Sequence, residues 1–165
     1  MKTYTIEELK SLDWASWQPT QRAVLCFLIV DGNVLLIRKK RGLGAGKVNG
    51  PGGKIDPGET AEQAAIRETE EEVCVRVSNL ELSGKLHFQF TDGLGIECSV
   101  FRTSDYSGNP QETDEADPFW CLIDEIPYDQ MWKDDEFWIP KMLSGNYFEG
   151  FFTFAKEEMI DLVLK

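Results

Sequence analysis

Apolar and polar positions along the chain fall into short alternating runs, with one long breaker-free stretch of helical character among them. Residues 22–30 and 33–39 are rich in β-branched residues and leucine, and Asp31-Gly32 between them is a strong two-residue hairpin signal. Residues 42–58 hold seven glycines and two prolines, which predicts a loop with unusual backbone angles. Thr60 and Gln63 have the spacing of a capping box, and residues 61–73 contain no breaker, so a helix is expected there. Residues 75–82 read as one short strand. Leu86, Phe88 and Phe90 alternate with Lys85, His87 and Gln89, the period of a half-buried strand, which puts His87 on the surface opposite the aromatics. A turn at 91–95 leads to a partner strand at 96–102, followed by a polar loop at 104–114. Residues 118–123 read as a strand, 134–143 as a helix, and 146–154 with the last residues as further strands. The first 20 residues read as a peripheral helix or extension, leaving 21–165 as the domain proper. Strands outnumber helices, so the pattern predicts an α/β fold, a mixed sheet flanked by helices.

Composition narrows this. A chain of 165 residues suits one domain, and 42% hydrophobic with 12% aromatic residues excludes disorder. No apolar run reaches membrane-spanning length, and the acid-containing start does not read as a signal peptide. Cys26, Cys74, Cys98 and Cys121 lie far apart without a CxxC pair, so reduced thiols in a cytoplasm are expected rather than zinc or disulfides. The net charge of −12 speaks against a nucleic-acid polymer as partner. Between Arg38 and Lys54 stand six basic residues and no acid, while the remaining chain sets 11 basic residues against 29 acids. A positive island in an acidic protein points to a local anion site, although a solvated basic loop would give the same count.

Glu68, Glu71 and Glu72 are spaced i, i+3, i+4, so their carboxylates crowd one side of the expected helix, with Glu70 adding a fourth acid near its C-terminus. Each such like-charge pair and each misplaced acid costs on the order of a few tenths of a kcal/mol. A hard divalent cation offsets that cost, since carboxylate oxygens are what Mg²⁺ prefers. Ala61 and Ala65 leave room beside them. An acidic solvated face would look the same in isolation, but the preceding glycine-rich basic loop lets backbone groups approach an anion or metal closely. Together they point to a metal–phosphate site.

Gly53-Lys-Ile-Asp-Pro-Gly-Glu59 followed by Arg67-Glu68-Thr69-Glu70-Glu71-Glu72-Val73-Cys74-Val75 resembles the Nudix signature G-x5-E-x7-R-E-U-x-E-E-x-G-U, every charged element falling at its spacing. Thr69 stands for an aliphatic residue and Cys74 for the terminal glycine. A left-handed Cys74 would cost roughly 1 kcal/mol, which makes a different helix end the expectation. The resemblance implies an α/β/α sandwich with a mixed β-sheet and a catalytic loop–helix–loop. It implies that Glu68, Glu71 and Glu72 hold Mg²⁺ (Mn²⁺ as a substitute) with the carbonyl of Gly52 and that Arg67 and Glu59 orient them; a glutamate near the attacking water serves as general base, a position that differs among family members and for which Glu72 is the favoured candidate here.

The run from Lys39 to Lys54, residues 124–140 and Gly150-Phe-Phe-Thr-Phe154 are similar to the oxidised-purine nucleoside triphosphatases of that family, the 8-oxo-dGTP diphosphatases. That similarity implies a base site of Asn49, Trp132, Asp134 and Asp135. Lys39 is implied near the base or sugar, Phe88 and Phe90 along the pocket, Pro51, Gly52, Gly53 and Lys54 among the substrate-binding residues, and Glu115 as a further metal-side carboxylate. Trp132 offers a stacking face, Asn49 a donor and an acceptor, and paired carboxyls that share a proton offer both as well. Read without the resemblance, Trp132 is a core anchor and Asp134-Asp135 a helix cap. Leu43 replaces a frequent aromatic, Val24 a hydroxyl residue and Asp117 a basic one. The expected activity is hydrolysis of 8-oxo-dGTP or 2-oxo-dATP to the monophosphate and pyrophosphate by a monomer that sanitises the nucleotide pool. The alternatives are another Nudix activity, on ADP-ribose for example, or a catalytically silent nucleotide-binding module.

Overall fold

Strand residues that alternate between two apolar environments must be covered on both faces, and the first long strand sets this demand. The computed structural model describes Met1–Lys165. After a short helix α1 (Ile6–Lys10), capped by Thr5 with Glu8, the chain forms β1 (Gln21–Val30) and β2 (Asn33–Lys39). Asp31 and Gly32 join them with φ of 51° and 78°, the geometry of a tight hairpin. The glycine-rich loop contains two short strands, β3 (Val48–Asn49) and β4 (Gly52–Lys54), and leads into α2 (Ala61–Val73). Then follow β5 (Arg76–Ser78), β6 (Glu81–Phe90), β7 (Gly95–Thr103), β8 (Asp105–Ser107) and β9 (Ala116–Leu122). Two 3-10 turns precede α3 (Asp135–Ser144), and β10 (Phe148–Ala155) and β11 (Glu158–Leu164) close the chain.

The main sheet runs β11-β10-β6-β7-β1-β2-β3, with β4 also on β1 and β9 also on β2. β1 pairs with β7 and β10 with β6 in parallel, and the other pairs are antiparallel. β1 is shared: Ala23 to Leu25 pair with β4, whereas Ile29 and Val30 pair with β2. Side chains of β1 alternate accordingly. Val24, Cys26 and Leu28 pack with Ala64, Ala65 and Val73 of α2, while Phe27 packs with Trp138 and Ile139 of α3 on the other face. The mixed sheet flanked by helices is thus the observed α/β architecture.

Three local expectations change. The strand expected at 75–82 is broken by Asn79 at φ 53°, so that β5 leaves the main sheet and pairs with β8 inside the supposed polar loop. The glycine loop is partly paired, because Cys26 and its neighbours offer backbone partners to residues 51–54. His87 is half-buried rather than freely exposed. Its ring stacks on Phe151 at 4.4 Å and 6° and lies beneath the edges of Trp14 and Trp17, since the outer face of β6 and β10 is covered by residues 1–20.

α2 begins with the capping box of Thr60 and Gln63. It ends on Cys74 in the left-handed region (φ 64°, ψ 26°), with the Cys74 N–H on the Glu70 carbonyl at 3.0 Å. The departure from glycine therefore did not move the helix end; the strain was accepted. Thr69, the other departure, satisfies its buried hydroxyl on the Ala65 carbonyl at 2.7 Å. Cys74→Gly is expected to stabilise the protein by about 0.5–1 kcal/mol through relief of that strain, checked by urea denaturation.

Candidate active site

The acids of α2 are organised by Arg67. Its Nε and Nη2 donate to the two carboxylate oxygens of Glu59 at 2.7 and 2.8 Å, a bidentate pair. Nη1 reaches Glu68 at 2.8 Å and Glu71 at 3.2 Å, and Nη2 the Lys54 carbonyl at 3.0 Å. The guanidinium holds the Glu59 carboxyl down to about 2, and the Asp56 N–H bonded to it acts in the same direction.

Carboxylate oxygens of Glu68, Glu72 and Glu115 lie within 4.8 Å of one another. Glu115 comes from the segment before β9, and Thr113 fastens it: the Thr113 hydroxyl donates to the Glu72 carbonyl at 2.7 Å and accepts the Glu115 N–H at 3.2 Å. Glu71 is outside this trio, about half exposed and turned to Arg67. β4 presses against the cluster. A Cβ on Gly53 would come within 2.5 Å of the Glu68 carboxylate, so this approach requires a glycine. The Gly52 N–H points to Glu72 Oε1 at 3.4 Å.

Burial pushes the Glu72 carboxyl up to about 8, with Glu68 and Glu115 adding to it, and burial also raises Glu68. Lys39 is drawn down by its own burial, and its ammonium donates to the Leu43 carbonyl at 2.6 Å. The cluster is therefore short of positive charge and rich in hard oxygen donors. That donor set fits a divalent cation of the Mg²⁺ class.

From Glu72 a cavity of about 460 Å³ runs past Lys39, Asn49 and Phe88 to Trp132, Asp134 and Asp135. Gly52, Gly53 and Lys54 border its acidic end. Pro51 is not in the wall; its carbonyl accepts the Cys26 N–H at 2.8 Å. Val24 and Leu43 are in the wall, whereas Asp117 stands on β9 opposite Arg38. Trp132 meets Phe90 and Phe154 edge-on at 5.9 and 5.5 Å, and the Lys47 ammonium lies 5.4 Å from its ring centre. Phe154 and Lys47 fall in runs already noted for their similarity, but nothing local tied either to Trp132, more than 20 and 80 positions away in sequence.

Asp134 and Asp135 are buried at 2% and 4% exposure. Asp134 stands at the start of α3 but makes no capping hydrogen bond; its Oδ2 accepts the Trp138 indole N–H at 2.8 Å. The Asp-x-x-x-Trp spacing on a helix was a readable signal for that pair. Asp135 Oδ2 is buried with no partner in the chain. Burial raises both carboxyls, Asp135 furthest because the Asp134 charge adds to its burial. Such a pair titrates as a unit, and while it shares one proton it offers one donor and one acceptor to the cavity.

The NUDIX domain family model matches residues 19–142. The chain is 45% identical over 137 residues to the oxidized purine nucleoside triphosphate hydrolase of Danio rerio, covering 82% of this chain and 88% of that protein. It is 37% identical to the protein of the same name from Mus musculus, with the same coverage. Among solved structures, a MutT protein from Bacillus halodurans superposes with a TM-score of 0.78 at 27% identity, covering 88% of this chain and 97% of that one.

The buried aspartates make stability depend on pH in a definite direction. Carboxyls whose folded pKa is raised bind protons that the unfolded chain has released, so the stability they permit is full below about pH 4 and falls as pH rises through the folded values. Each unit of upward shift costs about 1.4 kcal/mol above both values. Asp135→Asn, which mimics the neutral acid, should raise the unfolding free energy of the ligand-free protein at pH 8 and change it little at pH 4. Urea titrations at pH 4, 6 and 8 check this; equal effects at all three would contradict it.

Proposed function

The chain belongs to the Nudix family, and from that premise we propose that it hydrolyses oxidised purine nucleoside triphosphates, 8-oxo-dGTP and 2-oxo-dATP among them, to the monophosphate and pyrophosphate. One observation carries this reading. A single cavity joins a cation-seeking carboxylate cluster to a buried pair of aspartates, one oxygen of which has no partner in the chain.

The trio of Glu68, Glu72 and Glu115 would hold Mg²⁺, with Mn²⁺ as substitute; Glu71, expected among the ligands, is turned to Arg67 instead. When bound, the cation neutralises phosphate oxygens and makes water a better nucleophile. The remaining work belongs to the chain. Glu72, at the end of the cavity, would be ionised once a cation offsets the burial and the neighbouring carboxylates that raise it. It would then accept the proton of the attacking water as the new P–O bond forms and one P–O bond of the anhydride breaks. Arg67 keeps Glu59, Glu68 and Glu71 from drifting apart, so the carboxylates are already arranged when substrate arrives. Lys39, half-buried and bonded only to a backbone carbonyl, supplies positive charge between base and phosphates.

At the far end Trp132 provides a stacking face, and Asn49 adds the hydrogen bonds of its carboxamide. The partnerless Asp135 Oδ2 leaves one buried position that an incoming purine N–H or carbonyl would fill. Because the Asp pair can be read from either side of its shared proton, it suits both an oxidised guanine and an oxidised adenine. The apolar wall of Phe88, Phe90 and Phe154 excludes water around the base. Both chain and relatives favour a small-molecule nucleotide as substrate. No helix is long and apolar enough to cross a membrane.

The test is pyrophosphate release with Mg²⁺ from 8-oxo-dGTP, 2-oxo-dATP and dGTP, with ADP-ribose alongside. Preference for the oxidised purines, abolished by EDTA, is the expected outcome. Turnover of ADP-ribose alone would overturn the base-site assignment. Glu72→Gln should lower kcat by about 10²–10⁴-fold while nucleotide binding survives.

A further inference from the structure

β6 separates two environments. Leu86, Phe88 and Phe90 line the cavity, while His87 and Gln89 face residues 1–20 on the other side. Gln89 is only 2% exposed, yet its carboxamide is fully used. Oε1 accepts the Trp17 indole N–H at 2.7 Å, and Nε2 donates to the carbonyls of Phe90 at 2.9 Å and Leu94 at 3.1 Å. The two carbonyls fix which end is nitrogen, so the indole N–H must meet the oxygen. Gln89 thereby ties Trp17 to both ends of the turn between β6 and β7.

The same N-terminal segment grips that turn elsewhere. The Tyr4 N–H donates to the Thr91 carbonyl at 2.8 Å and the Thr20 N–H to the Gly95 carbonyl at 2.8 Å. The Gly95 N–H donates to the Thr20 hydroxyl at 3.0 Å. A Cβ on Gly95 would stand 2.9 Å from Gln89 Oε1 and 3.2 Å from the Trp17 ring, so the three groups close together only around a glycine. On the cavity side of this turn, Phe90 and Leu94 form wall beside Gln21, the residue that follows Thr20. Phe90 in turn meets the edge of Trp132.

We propose that residues 4–20 are the back plate of the base pocket: Trp17, acting through Gln89, is a positioning residue that sets where Phe90 and Leu94 stand and thereby how sharply an oxidised purine is told from an ordinary one. The inference rests on the assignment of the cavity's far end to the base. Trp17 lies ahead of the residues matched by the family model, so this control belongs to this chain's own N-terminal segment.

The experiment compares the full chain with Trp17→Phe, which keeps a ring against Trp14 and His87 but removes the donor, and with Trp17→Ala. Amide hydrogen exchange at Phe90 and Gly95 is read first. Both should exchange about three- to tenfold faster in Trp17→Phe, the factor expected from one ordinary hydrogen bond. KM for 8-oxo-dGTP should rise by a similar factor, and the preference over dGTP should fall, with kcat and calorimetric Mn²⁺ affinity unchanged. Unchanged exchange would overturn the proposal, as would a loosened turn with discrimination intact, or a loss confined to kcat or to Mn²⁺ affinity. If Trp17→Ala does not fold, Trp17→Phe still decides. Should the intact protein show no preference for oxidised purines, the substrate reading fails, and the exchange data alone then judge whether Trp17 holds the turn.

Discussion

The guanidinium of Arg67, bonded to Glu59, Glu68, Glu71 and the Lys54 carbonyl, allows a thirteen-residue helix to carry four acids in its last two turns. Without a fixed counter-charge those carboxylates would repel one another and face the unfavourable end of the helix dipole. Arg67 sits one residue before Glu68 and one turn before Glu71, so it reaches both without leaving the helix surface. By reaching back to the Lys54 carbonyl and the bidentate Glu59 as well, it pins the glycine loop against α2. Together with the pairing of β4 on β1, that side chain holds β4 over Glu68 at the acidic end of the cavity.

The cavity exists because β1 is shared between two sets of partners. β7 runs along Gln21 to Leu28 on one edge, while the other edge gives Ala23 to Leu25 to β4 and its last residues to β2. The loop between β2 and β3 is left to fold over the opening, where Gly44 at φ 80° lies so close to Trp132 that a Cβ would come within 2.6 Å of the indole nitrogen. A loop that starts at Lys39 near the acids and ends at Lys47 beside Trp132 connects the proposed phosphate and base ends of the site.

Two buried polar groups on opposite sides of β6 illustrate different solutions to the same cost. A buried polar atom without a partner is expensive, and Gln89 meets this with three hydrogen bonds inside the chain. Asp135 does not; its Oδ2 stays without a partner at the cavity wall, and burial beside Asp134 raises its carboxyl. The first arrangement makes structure. The second is tolerable in a protein whose ligand, on the proposed reading, completes the bonding.

What the chain announced by itself is what local geometry governs. The hairpin at Asp31-Gly32, the capping box of Thr60 and Gln63, and the spacing of Arg67 with its glutamates depend on residues within a few positions, so periodicity and turn chemistry exposed them. The mixed sheet was legible for the same reason, each strand bearing its own alternation. Tertiary structure alone decided which acids meet. Glu115, 43 positions from Glu72, joins it, while neighbouring Glu71 turns away to Arg67. It alone decided that 76–78 would pair with 105–107, that His87 would lie under two tryptophans, and that Asp134 and Asp135 would be buried instead of capping a helix. Each of these is a contact across long sequence separation, set by which faces of the sheet remained uncovered, and no local pattern records that.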